Sequence, residues 1–133
     1  GFPMFSLITG PRMTTKILLV DDVESVRWDL RTLLTLSGDL EIVGEATNGL
    51  EAMRLTESLQ PDVVLIDLEM PVMDGFEATR LIKTLCPSCR IVTLTIHDYD
   101  EARKRAYRSG VDAFLVKGAP IQEIVRTILN KKE

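Results

Sequence analysis

Two kinds of apolar spacing alternate along this chain. Short unbroken runs such as Ile17-Leu18-Leu19-Val20 and Val63-Val64-Leu65-Ile66 lack the polar alternation of a half-exposed strand. They read as strands buried on both faces, the pattern of a parallel sheet. Between them, apolar residues recur at three- and four-residue intervals, as along one stripe of a helix. After strand Ile17–Val20 the sequence predicts a helix from about Glu24 to Leu36, with Val23, Val26, Leu30, Leu33 and Leu34 at helical spacing. Asp22 or its neighbour can cap it and Gly38 stops it. A second strand over about Leu40–Glu45 leads to Asn48-Gly49 and a helix with Ala52, Leu55 and Leu59 inward, ended by Pro61. The central strand Val63–Ile66 comes next, then a helix capped by Asp74 with Phe76, Ala78, Leu81, Ile82 and Leu85 as its apolar set. Strand Ile91–Ile96 precedes a charge-rich helix from about Tyr99 to Ser109 that stops at Gly110. Strand Ala113–Val116 and a last helix opened by Pro120, burying Ile121, Ile124, Val125, Ile128 and Leu129, complete the series.

Five strands alternating with five helices imply an α/β fold, a parallel sheet with helices on both faces. Right-handed crossovers leave few topologies, and the flavodoxin-like, doubly wound order 2-1-3-4-5 is the expected one. In that order strands 1 and 3 are neighbours.

Composition narrows the class without changing this picture. At 133 residues, with 45% apolar and 27% charged residues, the chain is one ordinary globular domain. A formal charge of −4 argues against the domain itself gripping a nucleic-acid backbone. No apolar run reaches the roughly 18 residues that a membrane span needs. Residues 1–13 fit poorly with the rest of the chain and are set apart as a leader or artificial remnant, with Met13 a candidate natural start and residues 14–133 as the domain. Cys86-Pro87-Ser88-Cys89 has a spacing that invites a redox or zinc reading. A thioredoxin-like pair opens a helix, however, whereas this one closes a helix, and a zinc site would need ligands beyond the single histidine, His97. The expectation is free thiols in a cytoplasmic protein.

Candidate chemistry lies where the strands end. Strand 1 ends in Asp21-Asp22 and strand 3 in Asp67, so adjacency brings three carboxylates to the C-terminal edge of the sheet, where such folds bind ligands. Their mutual repulsion costs stability unless a cation or proton joins them. Oxygen-only ligation suits Mg²⁺, Mn²⁺ or Ca²⁺. Strand 4 supplies Thr95 to the same edge and strand 5 supplies Lys117. Three acids, a hydroxyl and an ammonium suggest phosphoryl chemistry, with a carboxylate as nucleophile and Lys117 as a point charge for a phosphate oxygen. Lys117 could equally serve only to relieve the repulsion among the acids.

Leu18-Leu19-Val20-Asp21-Asp22, Asp67-Leu68-Glu69-Met70-Pro71-Val72-Met73-Asp74-Gly75, Leu94-Thr95 and Phe114-Leu115-Val116-Lys117 together resemble the receiver domain of bacterial response regulators over about residues 15–131. The resemblance implies that Asp67 accepts phosphate from the phosphohistidine of a sensor histidine kinase. Asp21, Asp22 and the backbone carbonyl of Glu69 would join Asp67 in holding Mg²⁺. Thr95 would swing toward the phosphate, Phe114 would rotate inward behind it, and Lys117 would bind the phosphate. The face formed by helix 4, strand 5 and helix 5 would then change, controlling a homodimer or an output domain. Gly118-Ala119-Pro120 is similar to receivers that precede a quorum-sensing-type (LuxR-like) helix-turn-helix, so DNA would be reached through that domain only. With the chain ending at Lys131-Lys132-Glu133, the expectation is a fragment of a transcriptional regulator or a stand-alone receiver. Two rivals stay open. One is a metal-dependent phosphatase with an Asp nucleophile, for which Glu69 has the spacing of a general acid. The other is a phosphorylation-independent interaction module. His97, two residues after Thr95, could influence attacking water at the site mouth.

Overall fold

The computed structural model describes residues 14–70 and 72–130. The readings of residues 1–13, and of the last three residues, lie outside them. In chain order the elements are β1 (Thr15–Val20), α1 (Glu24–Leu36), β2 (Leu40–Ala46), α2 (Gly49–Leu59), β3 (Val63–Ile66), α3 (Gly75–Leu85), β4 (Arg90–Thr95), α4 (Asp100–Ser109), β5 (Ala113–Val116) and α5 (Ile121–Leu129). The five strands form one sheet in the order β2-β1-β3-β4-β5, with every pair parallel. No helix is long and apolar enough to cross a membrane among the described residues.

Because side chains alternate across a strand, the apolar runs feed two cores at once. Leu18, Val20, Val64, Ile66, Ile91 and Phe114 meet Ala52, Ala78, Ile82 and Ala106 of α2, α3 and α4 on one face. Ile17, Leu19, Val63, Leu65, Val92, Leu94 and Leu115 meet Leu34 of α1 and Ile124 and Ile128 of α5 on the other. Two of the helices, α2 and α3, start where the sequence offers a side-chain acceptor. Asn48 accepts from the Glu51 amide at 2.9 Å while the Glu51 carboxylate accepts from the Thr47 amide at 2.7 Å, a reciprocal cap. Asp74 accepts from the Glu77 amide at 2.9 Å.

Two local expectations are corrected. Val23 and Leu33 are exposed, not inward. Val23 precedes the helix in extended backbone, and for Leu33 helical spacing alone does not fix how wide the buried arc is. The N-cap of α1 is Val23, the neighbour of Asp22, as the sequence allowed, and it makes no side-chain bond. The cysteines are not free thiols: Cys86 and Cys89 form a disulfide. Cys86 ends α3, and the turn bonded from the Cys89 amide to the Cys86 carbonyl brings the two Cα atoms to 5.4 Å, within bridging reach.

Candidate active site at the carboxyl edge of the sheet

The site is built by continuing the sheet's hydrogen bonding one residue past each strand. The Asp21 amide donates to Ala46 O at 3.1 Å, the Asp67 amide to Val20 O at 2.9 Å, and the Lys117 amide to Thr95 O at 2.8 Å. Each side chain therefore leaves the edge with its backbone still fixed to the neighbouring strand. Asp21 and Asp67 are buried although charged, and Asp22 is exposed. Carboxylate oxygens of Asp21, Asp22 and Asp67 all lie within 4.8 Å of one another. Lys117 spans the two buried acids, its Nζ 2.9 Å from Asp21 Oδ2 and 3.1 Å from Asp67 Oδ2.

The remaining carboxylate oxygens turn to the local backbone. Asp21 Oδ1 accepts from the Val23 amide at 2.9 Å and Asp67 Oδ1 from the Glu69 amide at 3.3 Å, the side-chain turn that Asp makes readily. Burial pushes the Asp67 carboxyl above its ordinary value, against the opposing hydrogen bond and charge of Lys117. Burial also acts to lower the Lys117 ammonium, but its hydrogen bonds to Asp21 and Asp67 outweigh that and raise it. Burial thus sets the direction at Asp67, and the two acids set it at Lys117. Such a set of hard oxygen donors fits a divalent cation such as Mg²⁺ or Mn²⁺.

Thr95 is fully buried, and its hydroxyl accepts from the His97 amide at 3.2 Å. Thr93 pairs with Phe114 and Thr95 with Val116 across β4 and β5. Thr95 and Phe114 thus project from the same sheet face, one pleat apart. No cis peptide bond occurs among the described residues, that after Lys117 included. Glu69 keeps its side chain exposed and in contact with His97 Nε2, so the loops after β3 and β4 are joined.

Sequence reading missed two supports. Arg27 donates from Nη1 to Asp21 O at 2.7 Å and from Nε to Glu45 Oε1 at 3.1 Å, anchoring the backbone that carries the acid. A cation in the first turn or so of a helix runs against the helix dipole, and that anomaly was the one local signal. Arg103 covers the Phe114 ring at 4.6 Å, a contact with no local sign along the chain.

The comparisons agree with one another. The response regulator receiver domain model matches residues 17–129. The response regulator protein VraR of Staphylococcus aureus is 39% identical over 116 residues, covering 87% of this chain and 56% of that protein. The chain thus spans little more than half the length of the curated relatives it matches. A signal receiver domain described as that of NarL from Mycobacterium tuberculosis superposes with a TM-score of 0.84 at 31% identity, over 88% of this chain and 94% of that one. A DNA-binding response regulator of the LuxR family from Staphylococcus aureus gives 0.82 at 33% identity, over 87% and 97%. The fold, the matched length and these relatives lead to one assignment: the chain belongs to the response regulator receiver domain family.

Proposed function

We propose that this domain is a phosphoacceptor switch in which Asp67 takes a phosphoryl group from the phosphohistidine of a sensor histidine kinase. The observation that carries the reading is the buried Asp21–Lys117–Asp67 arrangement, with one ammonium bridging two carboxylates at 2.9 and 3.1 Å. Response regulators are signalling proteins, and a nucleophile paired with a movable cation suits one transfer event better than repeated turnover. An Asp67 carboxylate oxygen attacks phosphorus, the P–N bond to the histidine breaks, and an acyl phosphate forms.

Lys117 then follows the charge, leaving the Asp67 carboxylate for a phosphate oxygen while keeping Asp21. Thr95 gives up the bond from the His97 amide and turns its hydroxyl toward the phosphate. The space it leaves on the shared sheet face admits Phe114, and packed interiors favour two discrete placements of such a ring. Asp21, Asp22, Asp67 and the Glu69 carbonyl are the groups that would hold Mg²⁺ or Mn²⁺. The bound cation would neutralise the transferring phosphoryl oxygens. The face of α4, β5 and α5 carries the change to a homodimer contact or to an output domain, through which DNA would be regulated. Similarity to a DNA-binding LuxR-family regulator supports that output.

The test is intact mass after incubation with Mg²⁺ and acetyl phosphate, beside an Asp67→Asn variant. One phosphoryl adduct, absent from the variant and dependent on Mg²⁺, is the expected result. No adduct with no phosphate release overturns the reading, and turnover of unrelated phosphate esters would make the protein a hydrolase.

A further inference from the structure

Little apolar surface attaches α4 to the domain. Its buried side chains are Ala102 and Ala106, and methyl groups remove little area from water. Two guanidinium–phenyl stacks supplement them. Arg103 Cζ lies 4.6 Å from the centroid of the Phe114 ring, and Arg105 Cζ lies 3.9 Å from that of Phe76. A carboxylate backs each arginine. Arg103 donates from Nε and Nη2 to Asp98 Oδ1 at 3.2 and 2.8 Å, and Arg105 Nη2 stands 4.0 Å from Asp74 Oδ2.

What lies beneath the two stacks differs. Phe76 belongs to α3. Phe114 belongs to β5 and shares a sheet face with Thr95, one pleat away. Asp98 follows His97, whose amide donates to the Thr95 hydroxyl. One chain of contacts therefore runs from Thr95 through His97 to Asp98, Arg103 and the Phe114 ring.

We propose that Arg103, tethered by Asp98, is a positioning residue that holds Phe114 in its unphosphorylated placement and so sets the threshold of the switch. The inference rests on the phosphoacceptor reading above. A ring that rotates inward must leave the guanidinium, so the stack exists in one placement only. Only such a differential contact can bias an equilibrium. At a partly exposed site a cation–π stack corresponds to about a two- to fivefold preference. By linkage, phosphorylation that favours the other placement is opposed by the same factor. Motion of the loop carrying Asp98 when Thr95 turns would slacken the tether as the ring is drawn inward.

The experiment labels the whole protein with 4-fluorophenylalanine and assigns the Phe114 resonance by its loss in Phe114→Leu. Wild type is recorded with and without acetyl phosphate and Mg²⁺, with intact mass read on the same samples. In unphosphorylated Arg103→Gln the Phe114 resonance should move toward its phosphorylated position. The phosphorylated fraction at limiting donor should rise about two- to fivefold. Arg103→Lys, which keeps the cation but loses the two-pronged tether, should fall between. Arg105→Gln should move the Phe76 resonance and leave that of Phe114 in place. An adduct on wild type with no Phe114 shift in Arg103→Gln overturns the clasp and leaves the phosphoacceptor reading standing. So does an equal Phe114 shift in Arg105→Gln, which would mean general loosening of α4. No adduct on wild type removes both.

Discussion

Replacing Lys117 by Met strips the cation from the acid pair while keeping an aliphatic stem of similar length. Each contact, near 3 Å, carries a gross attraction of about 5 kcal/mol at an effective dielectric near 20. Against this stands the cost of withdrawing the ammonium from water, itself several kcal/mol. What the variant loses is the balance, because Asp21 and Asp67 stay buried with no counter-charge. Breaking a buried pair typically costs about 3–5 kcal/mol. The Lys117 side chain retains 21% exposure, so the lower end, about 3 kcal/mol, is the expectation. For a domain of this size that is a fall in Tm of about 10 °C. Urea unfolding followed by circular dichroism, at neutral pH with chelator present, measures it. The deficit should shrink on acidification, because Asp67 without the ammonium is protonated more readily and sheds its charge. It should also shrink in an Asp67→Asn background, where only one buried acid remains. A loss below about 1 kcal/mol, or an equal loss in both backgrounds, would refute the account of Lys117 as the cation that makes the site tolerable.

Other outcomes rest on the same geometry. Asp67→Asn should be more stable than wild type at neutral pH. A carboxyl whose folded pKa is raised costs wild type stability as pH climbs from the ordinary 3.8 through the folded value. The two Tm curves should therefore converge below that range. Added Mg²⁺ should raise the wild-type Tm by mass action, with about 1.4 kcal/mol for each tenfold excess over Kd, and Asp22→Ala should largely abolish the rise. Arg90 donates to Ile128 O at 2.7 Å and Thr127 O at 3.0 Å, closing the carbonyl end of α5. Arg90→Ala should cost about 1–2 kcal/mol, with faster amide exchange confined to the last turn of that helix. Val72 is an exposed β-branched residue at φ 69°. Val72→Asn should stabilise the domain by about 1 kcal/mol, measured by thermal unfolding.

What could be read in the chain was whatever neighbours in sequence decide. The run Val63–Ile66 has no polar member, so its burial on both faces and its central place followed. Asp21 and Asp67 could be put at one edge because strand ends and crossover handedness are both local matters. Leu33 is exposed because the width of a buried arc depends on what packs against it, and Val23 because the helix begins only after it. The Cys86–Cys89 bridge turned on how the chain leaves α3. The Glu69–His97 pair joins two loops well separated in the chain, and the Arg103 stack on Phe114 joins a helix to the strand that follows it. No periodicity records such meetings.

Two glycines close off the other side of the acceptor loop. A Cβ at Gly75 would overlap the Asp67 carbonyl oxygen and stand 2.7 Å from Leu68 Cα, and one at Gly49 would stand 2.9 Å from Met73 Cβ. The starts of α2 and α3 are therefore pressed against the loop with no slack to yield. This flank acts as a buttress for the backbone that carries Asp67. On the phosphoacceptor reading proposed above, the yielding side would be that of β4 and α4, where the helix is seated on two alanines. The direction in which this domain can report its state is thus set by where its backbone has left no room for a methyl group.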